Sequence, residues 1–596
     1  MRLPLLLVAS LLAVRARAQA SADLPLDDNA YTYLDALRAR GALRSLSALE
    51  RPYKVHDIAA ALDRDTVARN SPVLRSYEHA IRVALRKYDP SRETHASRTA
   101  MLPKDDSAYF YIDALMARGA LLDLRSSARP YRVADVERAL EADSLANHAP
   151  EMRDDVRALR RALRERGAGD PGESLFRYRI GGDVYATGQT SGVRELELGD
   201  GKAAFDPAFD LRGVAEGGPL TIAFRGGIDR RLMDDPQYWH PSPYLSENDD
   251  VRVQDAYVDA RFRFGELFVG REDRNWGPAP LDGLLLGHSV YSYDHLYLLL
   301  GVRSLHYQMI ATRLNDEIVG GDTTAQRYFT IHRLAATLGP AELALQEAVV
   351  YGGPARGFEP AFLNPINLFT FSQLNEAKDG TKKFSFQGAV KTKSVGTYST
   401  EIYLNDIQTG GCTPAVLCKK PTSGGLTFTA EGVPFIGDQR LFASYTLVSF
   451  LDYRTDTPWE QYDNNYIGLG RAYSDYDEWR FGLDLAAIPN VPLRLYGAYR
   501  RQGQGSYLTP VPPPDSFPVL PTIFFGTVEH VYRLGVSGGA TWSWVEVSGD
   551  IGVNHVTNYN HVTGVSHNDF ASRVQVSLVW ARIFGGGVSA GRDDSP

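Results

Sequence analysis

From about residue 169 to residue 584 the chain runs in segments of roughly ten residues whose polarity alternates, separated by clusters of Gly, Asn, Asp and Pro. In the stretch 573–580, Val574, Val576, Leu578 and Trp580 fall on one face, while Arg573, Gln575 and Ser577 fall on the other. The same alternation runs from Tyr257 to Phe264 and from Leu493 to Arg500. A period of two with one apolar face is the pattern of a strand that is wet on one side only. With 32 Tyr, 25 Phe and 54 Gly in 596 residues, the apolar face fits lipid and its girdles of aromatic side chains. At ~10 residues per strand plus turns and loops, this region predicts about 14–18 antiparallel strands closed into an all-β transmembrane barrel.

Nothing in the chain predicts a membrane-spanning helix. The most apolar stretch, from Leu281 to Val302, is interrupted by Asp282, His288, Ser289, Ser292, Asp294 and His295. The first residues predict a route of export. Met1-Arg2 is followed by an apolar run from Leu3 to Val14 and a small-residue site at Ala16 to Ala20. This is the layout of a secretory signal peptide over 1–20. Export leads to an oxidising setting, so Cys412 and Cys418, in a Thr/Pro-rich segment, are predicted to form a loop disulfide. No His stands near them to complete a metal site, and no cofactor is predicted. A net charge of -8 argues against a nucleic-acid partner.

The region before the barrel has a different texture. Residues 27–65 recur 78 positions later without a gap, and 22 of the 39 pairs are identical. Asp27-Asp28, Tyr31, Tyr33, Asp35, Arg40-Gly41 and Arg51-Pro52-Tyr53 return as Asp105-Asp106, Tyr109, Tyr111, Asp113, Arg118-Gly119 and Arg129-Pro130-Tyr131. In each copy an Asp pair can cap a helix, Ala30, Tyr33, Leu34 and Leu37 share a face, and Gly41 supplies a stop. A second helix follows Arg-Pro-Tyr, and a basic amphipathic third closes the unit. The predicted domains are thus two three-helix repeats at 21–95 and 96–168, a barrel at 169–584 and a tail at 585–596. The repeats resemble the surface-layer-homology type, which implies contact with cell-wall polymers, against a role in packing alone. The tail departs from the aromatic residue on which bacterial barrels usually end.

Three stretches resemble the Wzi family of outer-membrane capsule assembly proteins. They are Val269 to Pro278 with Gly283-Leu284-Leu285-Leu286, then Phe362-Leu363-Asn364-Pro365, then Glu401 to Asp406, where Asn405 stands in place of an acidic residue. The resemblance implies eighteen strands, periplasmic helices, and a lectin-like role holding capsular or other extracellular polysaccharide at the surface of a bacterial outer membrane. Sugars are held by aromatic faces and by planar amide, carboxylate and guanidinium groups. On that basis Arg271, Asp273, Arg274, Trp276, Asn364 and Asp406 are the candidate polysaccharide-binding residues. For these residues the alternative is structural, since Trp-Gly-Pro can fix a turn and Arg-Asp pairs line barrel lumens. A porin for ions or small solutes is the alternative function. No enzyme is predicted: Gly287-His288-Ser289, with Asp282 and Asp294 nearby, is the one cluster that invites catalysis, and it lacks a nucleophile-elbow pattern.

Overall fold

The computed structural model describes residues 21–90, 108–117, 120–121, 133–143, 152–165, 176–190, 204–230, 251–302, 304–319, 323–364, 369, 380–392, 394–406, 423–513, 516–517, 520–542 and 544–588. The signal peptide, both cysteines and the tail beyond Val588 lie outside these residues.

The alternating segments form eighteen long strands: β1 (Phe176–Gln189), β2 (Ala204–Gly217), β3 (Leu220–Asp229), β4 (Val251–Phe262), β5 (Gly265–Glu272), β6 (Tyr293–Val302), β7 (Leu305–Arg313), β8 (Thr324–Leu338), β9 (Ala341–Gly353), β10 (Thr381–Lys391), β11 (Thr397–Asp406), β12 (Ser423–Pro434), β13 (Arg440–Val448), β14 (Tyr476–Ile488), β15 (Val491–Gln502), β16 (Glu529–Trp542), β17 (Val545–Thr557) and β18 (Ser566–Val588). Each pairs with its neighbours in sequence, and β1 pairs with both β2 and β18, so the sheet closes. Closure leaves no strand edge unpaired, which lipid would not tolerate. The strands alternate between two kinds of connection. Those after β2, β4, β6, β8, β14 and β16 span two residues, with Gly339 (φ +61°) and Asn490 (φ +59°) supplying left-handed turn positions. Those at the other end of the barrel are mostly long.

Burial runs opposite to that of a water-soluble protein. Leu534 is 60% exposed, and Phe386, Ile402, Phe481, Val553 and Phe570 are also exposed, while Gln308, Gln346, Lys383 and Glu401 are fully buried. The outer face is therefore a lipid face and the polar groups line the interior. One rung of the outer face is in register across seven strands: Phe428, Tyr445, Trp479, Tyr499, Tyr532, His555 and Asn568 stand opposite one another in succession. Its Tyr445–Trp479 and Tyr499–Tyr532 ring centroids lie 4.4 and 4.8 Å apart. This rung lies toward the long connections. Exposed Phe264, Phe435, Trp542 and Trp544 mark a second aromatic level at the short-turn end.

The duplication is visible as two helical units of the same design. The first has α1 (Ala30–Arg38), α2 (Val55–Arg64) and α3 (Pro72–Leu85), and the second has α4 (Ala108–Ala117), α5 (Val133–Ala142) and α6 (Arg153–Glu165). Twelve of the thirteen core residues of the second, all but Val156, have a core counterpart 78 positions earlier. In both, a leucine at positive φ, Leu43 or Leu121, donates its N–H to an aspartate 22 residues on, Asp65 or Asp143. As predicted, Asp28 helps start α1, its Oδ1 accepting from Ala30 N at 2.8 Å. The two repeats differ in company. The first, through Asp89, forms one compact unit with the barrel, whereas residues 90–180 belong to a second unit.

Val536 faces lipid midway between the two aromatic levels, and its neighbour Ser537 lines the interior. Val536→Arg is expected to cost about 2–4 kcal/mol of barrel stability and Ser537→Arg much less, as measured by unfolding titrations in lipid vesicles. Equal losses contradict this register.

Candidate functional site

Two segments of the chain's own sequence occupy the interior and leave cavities between themselves and the wall. From the short-turn end, the first helical repeat enters the lumen on a set of buried charges. Lys54 Nζ sits 2.8 Å from Asp23, 2.8 Å from Asp259 of β4 and 3.1 Å from Glu266 of β5. Burial alone would lower its pKa, but the three carboxylates outweigh burial and hold it well above the usual value. Elsewhere on the wall Lys87 bridges Asp28 (3.1 Å) and Glu546 of β17 (2.7 Å). Glu342 of β9 accepts from Ser47 Oγ and Ala48 N, and Arg333 of β8 reaches Glu50 at 3.1 Å. Tyr33 and Tyr77 donate to backbone carbonyls of Asn490 and Val491 at the β14–β15 turn. The approach is close enough that a Cβ on Gly539 would meet Asn29 Oδ1 at 2.3 Å.

From the other end, the β5–β6 connection, residues 273–292, folds inward and meets this repeat. Asn275 and Arg51 exchange both backbone hydrogen bonds (3.0 and 3.1 Å), and Ala279 N donates to Ala48 O. The connection also pairs with itself, Trp276 N donating to Leu286 O at 2.9 Å and Gly283 N to Asn275 Oδ1 at 2.8 Å. Side chains from around the wall hold it. Leu284 N donates to Glu401 of β11, Gln387 of β10 donates to Trp276 O, and Tyr453 and Tyr462 donate to the carbonyls of Leu284 and Leu285. Leu284, Leu285 and Leu286 are fully buried.

This arrangement corrects the reading of Trp276 as a stacking face for sugar. Trp276 is 0% exposed, packed near Tyr297 and under Arg333. Arg274 is likewise buried: it pairs with Glu272 at 2.8 Å, donates to His295 Nε2 at 2.9 Å and lies over the rings of Phe268 and Tyr297. Arg271 is on the outer face, paired with Asp294 of β6 at 2.7 Å. Asn364 is exposed in the connection after β9. Asp406 ends β11, and its side chain lies outside the described residues. The predicted cysteine pair lies outside them too. Of the six candidates, Asp273 opens onto one cavity, and Arg274 lines another one beside Lys54 and Glu266. Sequence reasoning missed Lys54, Lys87 and Gln387, which help fix the two segments, and it quoted Glu401 only within a resemblance stretch, without this role. A lone Lys after Arg-Pro-Tyr, or a Gln in an alternating strand, carries no local sign of its partner.

The cavity at Asp273, of about 470 Å³, lies in the half of the lumen nearer the long connections. Pro25 to Asp27 form one side, β3, β4 and the start of β14 another, and residues 280–292 a third. Asp273 Oδ1 has no hydrogen-bond partner, and burial pushes this carboxyl up to about 7. His288 pairs through Nδ1 with Asp282, which raises the imidazole to about 9. Burial favours neutral Asp282, yet His288 and Arg471 outweigh it and hold this carboxyl well below the usual range. Ser289 Oγ also donates to Asp282, at 2.7 Å, rather than to His288. A nucleophile needs its proton aimed at the base, so this is an anchor for the inward segment and not the Ser-His-Asp relay. Among the described residues no His/Cys/Asp/Glu group is arranged to hold a metal ion.

No family model matches the chain, and no curated protein matches its sequence. Solved structures are similar at low identity. Wzi of Escherichia coli, described as a carbohydrate-binding β-barrel involved in group 1 capsule assembly, is 13% identical with a TM-score of 0.46, over 80% of this chain and 99% of that one. A BenF-like porin from Pseudomonas fluorescens gives 9% and 0.38, over 68% and 98%. OpdK from Pseudomonas aeruginosa gives 11% and 0.37, over 68% and 98%.

The His288–Asp282 pair makes the inward segment sensitive to alkali. Because the imidazole is raised from 6.5 to about 9, its contribution is fully present below pH 6.5 and is lost as pH rises through about 9. Hydrogen-exchange protection factors of the amides from Gly287 to Val290 are expected to fall between pH 7 and pH 10. In His288→Gln they should be lower already at pH 7. Equal protection at both pH values in the wild-type chain contradicts the pairing.

Proposed function

We propose that the chain is an outer-membrane anchor for extracellular, capsule-type polysaccharide. Its short turns and first helical repeat then face the periplasm and its long connections face outward, the orientation common to bacterial barrels. The observation that carries this reading is the entry of chain segments into the lumen from both ends, with Arg51 and Asn275 joined through backbone hydrogen bonds in the middle. A solute channel needs that space, whereas a protein that binds a polymer at the surface does not. The resemblance of the 269–286, 362–365 and 401–406 stretches to capsule assembly proteins supports the same reading, with residues 275–286 and Glu401 forming and holding the inward segment. The first repeat is committed to the barrel, which leaves the second repeat for any cell-wall contact.

The test is deletion of the gene, with polymer measured on washed cells and in the medium. Loss should move most of the polymer from cells to medium without lowering the total, and expression of the wild-type chain should restore retention. Unchanged retention together with slower uptake of small solutes contradicts the anchor and favours a porin.

A further inference from the structure

The cavity beside Asp273 carries an inference that rests on the polysaccharide reading and narrows it. Asp273, on its wall, holds a carboxylate oxygen, Oδ1, with no hydrogen-bond partner among the described residues, while its neighbour Glu272 is buried against Arg274 at 2.8 Å. Leaving a carboxylate oxygen unsatisfied in a confined space is costly, so this atom calls for a donor from a ligand or from water. The cationic groups around it are already engaged. Arg225 is bound to Asp27 and Asp255, Arg252 lies over the Tyr291 ring at 3.9 Å and donates to Ser292, and Arg471 is held by Tyr476 and the Asp282 carbonyl. His288 is paired with Asp282. What the cavity offers a newcomer is therefore acceptor oxygen rather than free positive charge.

We propose that this cavity is a saccharide subsite that takes one end of the polymer and selects hydroxyl- or amine-bearing sugar over sugar acids. Hydroxyl and ammonium groups supply the donor that Asp273 Oδ1 lacks, whereas a uronate would bring a further carboxylate beside Asp273 and Glu272. The cavity's volume suits a few sugar rings at most, within the range usual for small-ligand sites. Pro25 to Asp27 of the first repeat flank it, so a chain entering from the long-connection side meets the plug. That geometry favours a chain end over a continuous strand.

The test uses the full-length protein, folded in detergent, with the producing cell's own surface polymer both intact and as an acid hydrolysate. Ion exchange separates the hydrolysate into acidic fragments and neutral or basic ones. Binding of intact polymer tests the anchor reading, and binding of fragments tests the subsite. Leu281→Trp fills the cavity without removing a side-chain hydrogen bond, because Leu281 bonds through its backbone alone, its carbonyl accepting from Asn275 and its N–H donating to Pro278 O. Asp273→Ala removes the acceptor, and heat-modifiable gel migration checks that each variant is a folded barrel. The result expected is saturable binding of neutral or basic fragments, weakened at least tenfold in both variants. Binding of intact polymer with no fragment bound, with acidic fragments preferred, or with Leu281→Trp as tight as wild type overturns the subsite and leaves the anchor standing. Failure to bind intact polymer overturns both.

Discussion

A closed sheet of eighteen strands encloses more space than its own inward side chains can fill, and everything distinctive in this chain answers that geometry. Lipid forbids an open edge, so the sheet must close. Closure at this size leaves a lumen that is either water or protein. Here a three-helix repeat and the β5–β6 connection occupy it, and the inward polar residues that would line an aqueous channel are spent as anchors. Lys54 among Asp23, Asp259 and Glu266 is the clearest case. Burying a lysine is unfavourable by itself, and three carboxylates from two chain regions offset it, so removing the cation would leave a cluster of like charges and cost on the order of 3–5 kcal/mol. The same charge set that satisfies the wall also fixes where the repeat sits.

The second repeat shows how little of this is a property of the repeat's own fold. Its core matches the first at twelve positions and its Leu121–Asp143 contact copies Leu43–Asp65. It nonetheless belongs to a separate unit. The departures fall outside the shared core: Tyr77, which reaches the β14–β15 turn, has Asp155 as its counterpart, and Lys87 has Glu165. Duplication preserved the means of making a three-helix unit, and substitution on its surface made one copy a plug.

The sheet was legible because period-two alternation is local and is repeated in every strand, so the faces of Val576 and Ser577, or of Tyr257 and Val258, follow from sequence. Strand number was legible only to a range, since several long connections contain alternating stretches of their own. The lumen was not legible. Trp276-Gly277-Pro278 offers an indole beside planar polar groups, and nothing in those residues says whether the indole faces a sugar or a wall. The answer comes from Gln387, Glu401 and Arg333, more than fifty residues away. Of the cavity residues, Asp273 lies in a motif, but Tyr291 and Arg252 carry none, because the site exists only once two separate segments have folded into the barrel.

The proposal at the centre of this account, that the chain's own segments close the lumen to solutes, is tested most directly by liposome swelling in a small neutral sugar. Full-length protein reconstituted as a folded barrel should give no swelling above that of protein-free liposomes, while a folded variant lacking residues 21–89 should give rapid swelling. Rapid swelling by the full-length protein would contradict the account.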